Sequence, residues 1–127
     1  MNANKKISIC EPKDQLKLYG YENYFHTFKS FYEKNKLPNV ILLSGQKGLG
    51  KATFAYHFIN YLLSQNEEDK YSLESFTINA NNSTFKLIQN QVHPNFLLLE
   101  NNLLNENIKI EQVRNLLKFL SKTTYSR

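Results

Sequence analysis

The chain has 127 residues, the length of one domain, with 41% hydrophobic residues, 21% charged residues and a net charge of +5 at pH 7. Eight Tyr and nine Phe supply enough core volume to argue against global disorder, and the single cysteine, Cys10, excludes an internal disulfide and any zinc site built on several cysteines. The positive charge forms no long block, so it describes a mildly basic soluble surface better than a nucleic-acid patch. The longest apolar runs, 40–43 and 96–99, are far too short to span a membrane, and no apolar signal core follows the polar start of the chain. A reducing cytoplasm is the simplest compartment.

Residues 1–17 read as an arm with little periodicity. A helix follows, with Tyr24, Phe28, Phe31 and Tyr32 recurring at helical spacing and Glu22, Lys29, Glu33 and Lys36 on other faces. Pro38 is expected to end it, because proline biases the preceding residue away from helical geometry. The run Val40, Ile41, Leu42, Leu43 fits a strand buried on both faces of a parallel sheet. Residues 53–64 read as a helix with an apolar stripe of Phe54, Ala55, Phe58, Ile59, Leu62 and Leu63. Polar residues 65–75 read as a loop. The stretch 77–91 is ambiguous, with Phe85, Leu87 and Ile88 suggesting a short helix in its second half. His93, Pro94 and Asn95 break the chain before a second expected strand at 96–100, and 101–107 reads as a loop. The last element is a helix over 110–122, with Val113, Leu116, Leu117 and Leu120 on its inner face. Alternating helices and strands predict an α/β fold with a parallel sheet, although two strands are too few to complete one.

Between the first expected strand and the helix after it lies Gly45-Gln46-Lys47-Gly48-Leu49-Gly50-Lys51. Glycines at these positions let backbone N–H groups converge on phosphate oxygens, and the following helix adds the positive end of its dipole. Lys51 stands where a phosphate loop has the lysine that reaches the β and γ phosphates. Leu49 is expected to pack the loop down, with Gln46 and Lys47 facing outward. The bland alternative is a Gly-rich turn with a surface lysine. The residue after the lysine is normally Ser or Thr, whose hydroxyl holds magnesium; here it is Ala52. Thr53 lies about 100° further round the helix and is a poor substitute. The expected nucleotide-binding set is therefore Gly45, Gln46, Lys47, Gly48, Leu49, Gly50, Lys51, Ala52 and Thr53, binding ATP or ADP with Mg weakly and supporting little hydrolysis.

Three separate segments, in order, resemble the delta prime subunits of bacterial DNA polymerase III. They are Leu37-Pro38-Asn39 leading through Leu42-Leu43-Ser44 and the loop to Ala52-Thr53 and Ala55-Tyr56; His93-Pro94-Asn95-Phe96-Leu97-Leu98-Leu99-Glu100; and Ile108-Lys109-Ile110-Glu111-Gln112-Val113-Arg114. The resemblance spans roughly residue 18 to the end, and the Gly-Lys-Ala-Thr form of the loop is similar to the alphaproteobacterial type. It implies a P-loop domain of the AAA+ class, with 1–17 as an arm and 18–127 as the N-terminal part of that domain. It also implies a clamp-loader role: a stator among partner subunits that hydrolyse ATP, acting through the complex on the sliding clamp and primed DNA. Many relatives carry a cysteine zinc module after the loop helix; 65–91 contains no cysteine, so no zinc is expected. The acidic Walker B strand, the sensors and the Ser-Arg-Cys motif would lie beyond Arg127. The chain is accordingly expected to be an N-terminal fragment, aggregation-prone in isolation, and Ser126-Arg127 is not the arginine motif.

The remaining polar residues have bland readings. His26 and His57 read as surface or boundary histidines without ligand partners, and His93 as a cap. Glu100 reads as a loop-facing carboxylate and Lys47 as a solvated lysine. Glu111 and Arg114 are spaced to pair across one helical turn. Gly20 fits either a turn into the first helix or, by family analogy, the base end of a nucleotide pocket. The competing function is an independent P-loop ATPase or small kinase, which needs a metal hydroxyl and an acidic strand end. A basic DNA-binding module would need a clustered basic face.

Overall fold

The computed structural model describes residues 10–100 and 110–123. The start of the expected arm, the loop expected at 101–107, the Glu111–Arg114 pair and the Ser126-Arg127 terminus lie outside the described residues and side chains. The chain divides into two compact units, Met1–Phe85 and Lys86–Arg127.

The first unit is built on a 3-10 turn at Pro12–Asp14 and two helices, α1 (Glu22–Glu33) and α2 (Lys51–Leu63). Its centre is Phe25, whose side chain is 0% exposed. Phe25 stacks on Tyr71 at 5.3 Å and meets Phe58, Tyr61 and Phe76 edge-on at 5.4–5.5 Å. Rings at these separations favour offset and edge-to-face contacts, because a ring's positive rim is drawn to a neighbour's negative face. Leu18, Phe54, Ile78 and Phe85 complete the buried cluster.

Both helices have the expected period but a shifted phase. In α1, Tyr24 is exposed, and the inward positions are Phe25 and Phe28, continuing from Tyr21 at the N-cap. In α2 the expected stripe is buried at Phe54 and Phe58, but the other buried positions are His57, Asn60 and Tyr61, while Ala55, Ile59, Leu62 and Leu63 are half-buried. A helical stripe can rotate by one residue without losing its periodicity, and here the large rings decide which face turns inward.

Pro38 does not end α1. The helix stops at Glu33, where Asn35 takes a left-handed conformation at φ +55°. The Lys36 N–H donates to the Phe31 carbonyl at 2.7 Å, and the Asn35 N–H to the Tyr32 carbonyl at 3.1 Å. This pairing satisfies two of the last free helix carbonyls, and asparagine tolerates the left-handed position better than most residues.

The chain before α1 is tied in by backbone bonds. Leu18 N–H donates to Phe76 O at 3.0 Å and Ile78 N–H to Leu16 O at 2.8 Å. His57, 0% exposed, is a structural histidine and not a surface or boundary one. Its Nε2 donates to the Gln15 carbonyl at 2.8 Å, which leaves Nδ1 to accept from the Tyr71 hydroxyl, also at 2.8 Å. Burial depresses the His57 pKa and raises that of Tyr71.

After α2, side-chain hydrogen bonds hold 64–85 in place. The Asn60 and Asn82 amides bond reciprocally at 3.3 and 3.1 Å, Ser64 donates to Asn60, and Tyr71 N–H donates to Ser64 Oγ. The Glu67 carboxylate accepts from the N–H groups of Ser83 and Thr84 and from the Thr84 hydroxyl at 2.5, 3.3 and 2.6 Å. It thereby satisfies the first free donors of the short helix α3 (Ser83–Gln89), which is the helix expected in the second half of 77–91.

The second unit holds the end of α3, an irregular stretch, and α4 (Ile110–Thr123). Helix α3 closes with Gln91 left-handed at φ +56° and a Val92 N–H bond to Leu87 O at 2.9 Å. His93 acts as a cap, its Nδ1 accepting from the Asn95 N–H at 3.0 Å. Helix α4 confirms the expected element over 110–122, but Val113, Leu117 and Leu120 on its expected inner face are exposed.

Among the described residues the only sheet-like pairings are isolated antiparallel bridges, Lys17 with Thr77 and Ser72 with Thr77. The two stretches read as strands, 40–43 and 96–100, carry no strand assignment in the described residues. Val40 and Leu42 are 86% and 88% exposed, while Leu43 packs against the aromatic cluster.

Candidate phosphate-binding site

The loop 45–50 leads directly into α2, with Gly50 as its N-cap. Gly48 and Gly50 are left-handed at φ +88° and +85°, and Leu49 between them keeps a negative φ. Alternating handedness turns successive N–H groups toward one side, forming a backbone nest for an anion. A side chain at either glycine would be strained, which is why the sequence places glycine there. The first helical hydrogen bond runs from Phe54 N–H to Gly50 O at 3.0 Å, and no side chain caps the helix start. Its free N–H groups therefore add to those of the loop.

Lys51 begins α2 and folds back so that Nζ donates to the Gly45 carbonyl. The Gly45 backbone lies close to the Leu49 side chain and the Lys51 stem: a Cβ there would sit 3.7 Å from each. Leu49 does not pack the loop down, being 56% exposed. The loop is held through its backbone, by a 2.5 Å hydrogen bond from the Tyr21 hydroxyl to the Leu49 carbonyl.

A cavity of about 730 Å³ opens beside the loop, within the size range of small-ligand sites. Gly45, Leu49 and Lys51 line it together with Tyr19, Gly20, Tyr21, Tyr24, Phe28 and Phe54. Gly48, Gly50 and Thr53 instead line a smaller cleft of about 220 Å³, shared with Leu49 and Tyr21. Gln46, Lys47 and Ala52 are exposed and line neither. The structure thus brings Gly45, Leu49 and Lys51 together on the larger cavity, and it places Thr53 on the smaller cleft. For a nucleotide with magnesium, the residues present offer the loop and helix-start N–H groups beside the smaller cleft and the Lys51 ammonium on the larger cavity. They offer no hydroxyl at the metal position. Gly20, φ +78°, stands directly before the N-cap of α1 and also lies on the wall of the larger cavity, so it fits both of its readings.

Sequence reasoning missed Tyr21. The available signal was its place between Gly20 and the first helix, but nothing in the linear pattern connects it to a loop twenty-eight residues away.

No group of three or more His, Cys, Asp or Glu is arranged to hold a metal among the described residues, and no helix there is long and apolar enough to cross a membrane. The model of the family described as "DNA polymerase III, delta subunit" matches residues 20–127, which includes both expected strands, the loop and all four helices. The chain belongs to that family. No curated protein and no solved structure matches it.

Proposed function

We propose that this chain is a clamp-loader subunit of the delta prime kind, acting in DNA replication, whose loop binds the phosphates of ATP or ADP and supports little or no hydrolysis. The observation that carries the reading is the left-handed pair Gly48 and Gly50 at an uncapped helix start, with Lys51 lining an aromatic-walled cavity and Ala52 in the metal-hydroxyl position. Family membership supports the replication role. In this reading 40–43 and 96–100 are strands of a P-loop parallel sheet. The subunit works in the cytoplasm inside a hetero-oligomer, reaching the sliding clamp and primed DNA through its partners. Bound magnesium would neutralise phosphate charge. Of this chain's own groups, the loop N–H donors orient the phosphates and Lys51 exchanges the Gly45 carbonyl for a phosphate oxygen.

Two measurements test it. Isothermal titration should detect ADP binding that Lys51→Ala removes, while ATP turnover stays near background. Turnover of about one per second, abolished by Lys51→Ala, would establish an independent P-loop enzyme instead, since that is an ordinary rate for such a catalyst. Mixing with the other clamp-loader subunits of the same organism should give a complex that co-elutes on gel filtration. Failure to co-elute would remove the assembly role.

A further inference from the structure

Tyr21 makes several contacts at once. Its carbonyl accepts the first hydrogen bond of α1, from Phe25 N–H at 2.9 Å. Its ring lies 5.4 Å from Phe54, on the first turn of α2. Its hydroxyl donates to the Leu49 carbonyl at 2.5 Å, inside the phosphate loop. The same ring closes over Gly50, where an added Cβ would approach Tyr21 Cε2 to 3.5 Å.

Leu49 lies between the two left-handed glycines, so its peptide link to Gly50 is the hinge of the nest. In a planar trans peptide the carbonyl and the following N–H point in opposite directions. Fixing the Leu49 carbonyl on Tyr21 therefore fixes the Gly50 N–H in the opposite direction, away from the Tyr21 hydroxyl. An unfixed glycine-flanked peptide rotates easily, because glycine populates both hands of backbone space. An anion would then have to reorder the loop on binding, at the expense of affinity.

We propose that Tyr21 is a positioning residue of the phosphate site: its hydroxyl holds the 49–50 peptide in the orientation that receives a di- or triphosphate. This rests on the nucleotide reading above. It adds that the loop is preset from outside, by the residue that starts α1, and that the phosphate-bearing part of the ligand depends on this and the nucleoside part does not.

The test uses the full chain and Tyr21→Phe, which keeps the ring contacts and deletes only the hydroxyl. Two readouts are taken: affinity for ADP and for adenosine by titration, and amide hydrogen exchange at residues 49–51 without ligand. One hydrogen bond contributes about 1 kcal/mol net, so ADP affinity should fall about fivefold, adenosine affinity should be unchanged, and the 49–51 amides should exchange faster. Equal loss for ADP and adenosine would assign Tyr21 to the cavity wall and overturn the proposal. Unchanged or tighter ADP binding would also overturn it. If the wild-type chain binds no ADP, the nucleotide reading falls, and the exchange readout alone decides whether Tyr21 orders the loop: unchanged exchange overturns it. Should Tyr21→Phe fail to fold, 3-fluorotyrosine at position 21 replaces it. That residue keeps a hydroxyl that is a stronger donor, so exchange at 49–51 should slow; faster exchange would overturn the assignment.

Discussion

Two regions of this chain carry large apolar side chains and meet opposite fates. The rings of α1 and α2 close on one another until Phe25 is inaccessible, while Val40 and Leu42, a few residues further on, stand almost wholly in solvent. Apolar character supplies a driving force for burial but not a partner. Two amphipathic helices satisfy their own backbone hydrogen bonds and need only present rings to each other. An extended segment needs a neighbouring strand for its N–H and C=O groups as well as a cover for its side chains; the described residues give 40–43 no strand pairing and cover Leu43 but not Val40 or Leu42. The same contrast separates α2 from α4. Both are well-formed helices, but Val113, Leu117 and Leu120 of α4 remain exposed.

The strongest way to break this comparison is a pair of truncations read by denaturant unfolding. Phe25→Ala should destabilise by about 3–5 kcal/mol, since it opens a cavity among five aromatic neighbours. A loss below about 1 kcal/mol would mean the aromatic cluster is not what holds the first unit together.

Next comes the polar half of the same core. Asn82→Ala leaves the Asn60 amide and the Phe85 N–H without their partner in a buried setting, and should cost about 1–3 kcal/mol in the same assay. Replacing both Asn60 and Asn82 with apolar residues should cost less than the sum of the single changes, because no polar partner is then orphaned.

The third prediction concerns pH. Neutral His57 donates to Gln15 and accepts from Tyr71, so protonation would place an N–H against the Tyr71 hydroxyl and displace its hydrogen. Burial holds the folded-state pKa below the ordinary value of 6.5. The unfolded chain therefore takes up the proton first, and stability should be full above about pH 6.5 and decline as pH falls below it. The thermal midpoint should drop between pH 7 and pH 5, and His57→Gln should flatten that slope. A wild-type midpoint that rises over the same interval would contradict the assignment.

The smallest effect sharpens the other side of the comparison. Leu42→Ala should change stability by less than about 0.5 kcal/mol, as expected for an exposed side chain. A loss as large as that of Phe25→Ala would show that 40–43 is covered in solution.

The linear sequence by itself determined the helices, because their hydrogen bonds are local and their apolar residues recur every three or four positions. It also marked the loop, because glycine is the residue favoured at the left-handed positions 48 and 50, and Lys51 follows as the first residue of α2. Tertiary structure decided which face each helix buries. Phe25 in place of Tyr24, and His57 in place of Ile59, follow from how large rings fit together across α1 and α2, and that fit is not a property of either helix alone. It also decided the stop at Glu33, where Asn35 could turn left-handed well before Pro38, and the grip of Tyr21 on Leu49. Periodicity reports the spacing of residues along one element; which residues from distant elements share a contact depends on packing that no single element contains.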